Sequence, residues 1–213
     1  MPSEFFSPTL VMALTAYAVG VASPGPSNMA IMATAMSQGR RQAMALAAGV
    51  LCGSLMWGLA ASLGLSALMR ACSWALFLLK LSGGLYLILL SLKAARSALA
   101  TGSPKLADSI GAGSNWRAFS KGLSMHVTNP KAIFVWLSIV ALALPPGASK
   151  DQALGVVGFC AAIGAIVFFG YALAFSTGIA RTIYLKAHRW LNATLSAVFA
   201  VAGVRLLLSR SAA

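Results

Sequence analysis

The chain has 213 residues, 59% of them hydrophobic and only 9% charged, with a mean hydropathy of +0.84 and a formal net charge of +13 from 16 basic and 3 acidic residues. A charged share so far below the roughly 25% of a soluble domain excludes an ordinary globular protein and leaves an integral membrane protein. The length suffices for several spans of about 20 residues with short connections and not for an additional soluble domain, so a single transmembrane domain is expected over residues 1–213.

The first apolar run extends from Thr9 to Met36. The residues before it include Glu4 and no lysine or arginine, whereas a secretory signal opens with a basic segment, so the run is a span, and Ser7-Pro8 predicts its helix start. Its middle is interrupted by Ser23-Pro24-Gly25-Pro26-Ser27-Asn28. The second run, Met44 to Met69, carries Gly49, Gly53, Gly58 and Gly64, small positions at which helices can approach closely. A third run covers Ser73 to Leu92, and the stretch from Thr101 to Ser120, rich in Gly, Ser and charge, predicts a linker. The fourth run, Gly122 to Leu144, is interrupted at Asn129-Pro130. The fifth, Gln152 to Gly178, repeats the glycine pattern at Gly155, Gly158, Gly164 and Gly170, and the sixth runs from Trp190 to Leu208. Continuous apolar runs exclude barrel strands, which alternate apolar and polar residues. The expected class is therefore all-α, with six transmembrane helices.

Basic residues fall mainly between alternate spans: Arg40 and Arg41; Lys93, Arg96, Lys105, Arg117 and Lys121; Arg181, Lys186 and Arg189. The positive-inside rule places those segments in the cytoplasm and both termini outside, with Arg205 and Arg210 as counter-evidence. Charges that flank spans account for the net charge without nucleic acid, which is excluded as a partner. Lys80 and Arg205 lie near outer span ends and predict snorkelling side chains. Cys52, Cys72 and Cys160 form no CxxC pair, and His126 and His188 have no ligand-like neighbours, so neither a metal nor another cofactor is expected.

Displacing the chain on itself by 106 residues lays Pro24 on Pro130, Gly49-Val50 on Gly155-Val156, Gly58 on Gly164 and Gly64 on Gly170. Two halves of three helices each must lie in the membrane with opposite orientation, the inverted-repeat plan of many secondary transporters. Repeat one would cover about residues 1–100, the cytoplasmic linker about 101–120 and repeat two about 121–213.

The same displacement pairs Ser23-Pro24 with Asn129-Pro130. A serine or asparagine before proline is an N-cap followed by a first helical position, so each break is expected to restart a helix near the midplane. The N–H groups of a restarted helix can receive an anion such as a carboxylate. Lys131, in the first turn after the second break, is a charge that insertion scales penalise by roughly 2.5 to 3.5 kcal/mol at bilayer centre, which marks it as functional. Two plainer accounts stay open, a snorkelling Lys131 and a Pro130 that merely bends a helix for packing. His126 is a candidate proton-coupling residue, since imidazole titrates near pH 6.5, and a packed, hydrogen-bonded histidine is the alternative. The only acids are Glu4, Asp108 and Asp151, all outside the spans. A carboxylate proton relay and paired-acid hydrolysis are thereby excluded. A substrate ammonium would have to be met by helix-end carbonyls near Val21, Ala22 and Val127, by hydroxyls, or by Trp57 or Trp136. That favours a neutral amino acid over lysine or arginine. An enzyme would need a nucleophile and base or a metal, and no such cluster is present.

Six spans in this length, SPGPSN in the first, ALAAGVLCG opening the glycine-rich second, KLSGGLYLILLSLKAAR in the third and HVTNPKAIFVWL in the fourth resemble the LysE/RhtB family of amino-acid exporters, the threonine, homoserine and homoserine-lactone efflux type. The resemblance implies export of an amino acid or related metabolite across a bacterial inner membrane, driven by the proton motive force, by a protein that often forms a homodimer. It assigns the family's proline-glycine-proline motif to Pro24, Gly25 and Pro26 and its asparagine-proline-lysine motif to Asn129, Pro130 and Lys131. The expected substrate-binding residues are thus Ser23, Pro24, Gly25, Pro26, Asn28, Asn129, Pro130 and Lys131. The substrate itself stays open within the family, basic amino acids and other small metabolites included, and a channel-like pore is the alternative to a carrier.

Overall fold

The computed structural model describes residues 7–23, 25–71, 81, 85, 88–89, 91–100, 114–144 and 148–208. The described residues are helical, with no strand among them, and the chain is an all-α membrane protein. Most of the third apolar run, the linker between 101 and 113, and the residues Glu4, Pro24, Cys72, Lys80 and Asp108 lie outside the described residues, as does the side chain of Arg205.

Helix α1, Pro8–Ala22, starts where Ser7 caps it, its hydroxyl accepting from Leu10 N at 3.2 Å, with Pro8 in the first turn where its missing N–H costs nothing. Helix α2, Pro26–Gln38, follows after a bend of 49° and stops at Gly39, whose φ of +84° suits a residue without Cβ. Helix α3, Arg40–Ala71, begins at once. Helix α4 is continuous over residues 91–99. Helices α5, Asn115–Val127, and α6, Pro130–Ala143, are separated by Thr128 and Asn129. A capping box of Ser149 and Gln152 opens α7, Lys150–Ala174, with Asp151 favourably placed at the positive end of the helix dipole. Helix α8 is Gly178–Leu208.

Arg40–Ser62 and Lys150–Ala174 are each long and apolar enough to cross a membrane, the bent pair α1 and α2 together makes a third such segment, and Pro130–Val140 is a shorter apolar helix. Two boundaries depart from the sequence expectation. Helix α8 begins well before Trp190, so the basic stretch with Arg181, Lys186 and Arg189 is helix and not loop. No glycine or proline interrupts residues 179–202, and Lys and Arg are good helix formers; the charges mark a polar end of the helix and not its limit. Helix α5 likewise begins at Asn115, capped by Ser114, upstream of the apolar run.

The chain forms two compact units. The first comprises residues 1–67 and 106–178, and its core gathers Tyr17, Ile31, Leu46, Val50, Trp136 and Cys160. Lipid tails are as apolar as leucine, so helices in a bilayer associate through close packing more than through water release. The glycines supply that packing: a Cβ on Gly49 would overlap Phe119 O, one on Gly122 would overlap Leu46 O, and one on Gly58 would strike the Trp136 ring. Helices α3 and α5 therefore meet backbone to backbone. Gly53 and Gly164 also face neighbours, against His126 Cβ and the Tyr17 hydroxyl, whereas Gly64, Gly158 and Gly170 have nothing within 4 Å. The second unit comprises residues 68–105 and 179–213, and in it Ser91 Oγ donates to Ser196 O at 2.9 Å and Arg189 Nε to Ala98 O at 3.0 Å.

Candidate functional site

The two interruptions lie in the first unit, and they meet. At the end of α1, Ser23 turns its own N–H back to Val19 O at 2.9 Å and its hydroxyl to Gly20 O at 2.8 Å. Ser23 thus closes α1 and does not start α2. This corrects the expectation that Ser23-Pro24 is an N-cap and first position: the cap of α2 is Gly25, and Pro26 holds the first turn. Serine is the better N-cap by propensity, but here its hydrogen bonds are spent on the carbonyls that α1 leaves open. At the second break the expectation holds: Asn129 is the N-cap of α6, its Oδ1 accepting from Lys131 N at 3.1 Å, and Pro130 is in the first turn.

The last three backbone oxygens of α1 and its cap are occupied. Val21 O accepts from Asn28 Nδ2 at 2.7 Å, Ala22 O from the Tyr171 hydroxyl at 2.7 Å, and Ser23 O from Asn28 Nδ2 at 3.2 Å. Val127 O, at the end of α5, accepts from Trp57 Nε1 at 3.0 Å. The carbonyls that the sequence offered to a substrate ammonium therefore carry internal donors. A buried polar group in a bilayer must be satisfied from within the protein, and this is how the two helix ends are tolerated.

Lys131 joins the breaks. Its ammonium donates to Ser23 O at 2.6 Å and Ser23 Oγ at 2.7 Å, with only 9% of the residue exposed. The partners are neutral oxygens at the C-terminal, negative end of the α1 dipole, a setting that favours a cation. On the way the lysine chain crosses Gly25, where a Cβ would stand 3.0 Å from Lys131 Cδ and 3.1 Å from Nζ. Lys131 does not snorkel; it lies buried within the protein.

A second set of bonds ties the breaks together beside the lysine. Asn129 Nδ2 donates to Ser27 Oγ at 3.3 Å, and Ser27 Oγ lies 2.9 Å from His126 Nδ1. The Ser27 hydroxyl has one proton to give and two lone pairs, so it accepts from the amide and either donates to Nδ1 or accepts from it according to the imidazole tautomer. The imidazole edge meets Phe168 at a centroid distance of 5.7 Å. Trp136 Nε1 donates to Ser54 Oγ at 2.9 Å, and the Tyr17 hydroxyl lies 3.2 Å from the same oxygen. These groups and the lysine surround a cavity of about 30 Å³, room for about two water molecules. No group of three or more His, Cys, Asp or Glu occurs among the described residues, and Cys52 and Cys160 are free thiols.

Of the residues expected at the site, Ser23, Gly25, Asn28, Asn129 and Lys131 line it or bond within it, His126 adjoins them, and Pro26 and Pro130 start the two helices. Pro24 lies outside the described residues. Ser27, Ser54, Tyr17 and Tyr171 were missed. Tyr171 carries a readable signal, the one hydroxyl in the apolar helix α7, whereas Ser54 is one of three serines in α3 and Ser27 lies inside the motif.

An all-helical apolar chain whose two interrupted helices converge on a buried lysine has the build of a membrane translocator. The chain belongs to the LysE type translocator family, whose pattern matches residues 18–210. It is 30% identical over 195 residues to the threonine efflux protein of Escherichia coli strain K12, covering 90% of this chain and 94% of that protein. It is 29% identical over 197 residues to the threonine efflux protein of Salmonella typhi, with the same coverage of 90% and 94%. To the cysteine/O-acetylserine efflux protein of Klebsiella pneumoniae it is 26% identical over 204 residues, covering 95% of this chain and 99% of that one. No solved structure gives a significant match.

Proposed function

We propose that this protein is a secondary active transporter that exports a small neutral amino acid or close derivative from the bacterial cytoplasm by alternating access, with threonine the first candidate. The observation that carries this reading is the buried Lys131 ammonium on Ser23 O and Oγ, which links the broken first span to the broken fourth. A cation held on neutral oxygens, next to an α2 N-terminus whose cap has no side-chain bond, is a place where a carboxylate gains an ion partner at the positive end of a helix dipole. The relatives are efflux proteins for threonine and for cysteine/O-acetylserine, molecules that carry one ammonium and one carboxylate. Of the chain's three acids, the one among the described residues, Asp151, is exposed in the first turn of α7, so a second substrate cation finds no acidic partner near Lys131 among the described residues. This argues against lysine or arginine as cargo.

In this reading the chain is one transmembrane domain of six spans in two inverted repeats, its basic segments in the cytoplasm and its termini outside. The halves rock about the paired breaks, His126 carries the coupling proton through its bond to Ser27, and the assembly in the inner membrane is a homodimer. A cavity of about 30 Å³ is smaller than an amino acid, so in this reading the groups around it move apart as the substrate enters. The test is efflux of preloaded radiolabelled threonine from expressing cells, followed by counterflow in proteoliposomes. Saturable, proton-dependent efflux with counterflow supports a coupled carrier; flux without saturation or counterflow would establish the channel-like alternative.

A further inference from the structure

Among the described residues the cavity holds a lysine ammonium and no acid to neutralise it, and the place that ammonium occupies is informative. An ammonium on a lysine and the α-ammonium of an amino acid are chemically alike: compact cations with three N–H donors. The α1 C-terminus already receives one such group, on Ser23 O and Ser23 Oγ at 2.6 and 2.7 Å. The neighbouring carbonyls Val21 O and Ala22 O carry Asn28 and Tyr171, and Ser23 O, which also accepts from Asn28 at 3.2 Å, is the one that takes the ammonium together with its own hydroxyl. The niche is selective for charge by its setting, because the donors around it are neutral and the helix end is negative.

We propose that Ser23 O and Oγ form the ammonium subsite of the transport site, and that Lys131 occupies it as a tethered stand-in while no substrate is bound. Resting on the exporter reading, loading is then an exchange: the substrate ammonium takes Ser23, and the displaced Lys131 swings back across Gly25 to pair with the substrate carboxylate. The exchange explains why the site needs no acid. One cation replaces another on the same oxygens, and the lysine that leaves meets the only anion that enters. It also explains selectivity for a zwitterion. A simple amine would displace Lys131 but offer it no carboxylate, leaving an unpaired buried charge, which is costly. A simple carboxylate would draw Lys131 away and leave Ser23 empty. Gly25 fits the same path, since a Cβ there would stand 3.0 Å from Lys131 Cδ and crowd the lysine methylenes that pass over it.

The exchange makes a counterintuitive prediction for ligands that lack one end of threonine. Purified full-length protein in lipid nanodiscs is titrated calorimetrically with L-threonine, with 1-aminopropan-2-ol, which lacks the carboxylate, with 3-hydroxybutyrate, which lacks the ammonium, and with propane-1,2-diol, which has no charge. In the unaltered protein threonine binds and the amine binds at least about tenfold more weakly. In Lys131→Met and in Lys131→Gln the carboxylate-only ligand loses affinity and the amine gains about tenfold, while the diol gains nothing. A loss or no change of amine affinity in a folded Lys131 variant overturns the proposal, as does an equal gain for the diol, which would mean only that space was opened. The two neutral replacements guard against misfolding of one of them. If the unaltered protein neither binds nor exports threonine, the exporter reading fails for that cargo, whereas the amine gain in the Lys131 variants reads the subsite by itself.

Discussion

The two helix breaks share a plan, a proline in the first helical turn after an interruption of an apolar span, yet they are finished differently. At the second break Asn129 caps α6 with its own side chain and holds Ser27 with the other end of its amide. At the first, Gly25 offers no side chain, α2 begins without a side-chain cap, and the space a side chain would take is filled by Lys131 from the other break. One break is closed by itself and the other is closed by a movable cation. The difference locates the working part: a local cap must stay in place for the helix to persist, whereas a long, flexible side chain held by two hydrogen bonds can leave and return.

The strongest way to break that comparison is to remove the movable closure. Lys131→Ala should reduce threonine efflux to the level of cells without the protein, while membrane insertion and expression stay unchanged; normal efflux from this variant would remove Lys131 from the mechanism. Gly25→Ala is the next largest. Its Cβ would sit 3.0 Å from Lys131 Cδ, so the lysine must yield slightly to make room, and a displacement smaller than the roughly 1 Å that costs about 10²-fold is expected to lower the initial efflux rate by roughly threefold to tenfold. Gly158→Ala, at a helical glycine with nothing within 4 Å, is the matched control and should transport normally.

Much of this was legible in the amino-acid sequence because a bilayer makes a few residues conspicuous. Prolines, an asparagine and a lysine inside apolar runs can hardly be lipid-facing, so the all-α class, both breaks and the grouping of His126 with Asn129 and Lys131 follow from composition and position. What did not follow was which atoms those groups choose. Ser23-Pro24 and Gly25-Pro26 are both acceptable helix starts, and only the open carbonyls of α1 decide that Ser23 belongs to the helix before it. The direction of Lys131 is a tertiary fact, set by a helix end 108 positions away in the chain. The start of α8 escapes the sequence for the opposite reason: the apolar run begins at Trp190, whereas the helix begins at Gly178, because no glycine or proline in residues 179–189 ends it there.

The smallest effect is the most discriminating about the second break. Asn129 does two things, capping α6 through Oδ1 and holding Ser27 through Nδ2, and replacement by alanine or by glycine removes both bonds equally. The two variants differ in the backbone: at an N-cap position an asparagine-to-alanine change costs typically about 1 kcal/mol, whereas glycine costs only a few tenths. Asn129→Ala should therefore melt below Asn129→Gly in detergent by a few degrees, with Asn129→Gly itself below the unaltered protein by whatever the Ser27 bond contributes. Ser27→Ala leaves the α6 cap intact but removes the Ser27 bonds to both Asn129 and His126, so its loss sets an upper bound on that second contribution. If Asn129→Ala and Asn129→Gly melt together and neither falls below Ser27→Ala, the cap carries no stability of its own and Asn129 is there to orient Ser27 against His126. The two breaks would then differ less in how they are capped than in what they hold: a cation in one, an imidazole in the other.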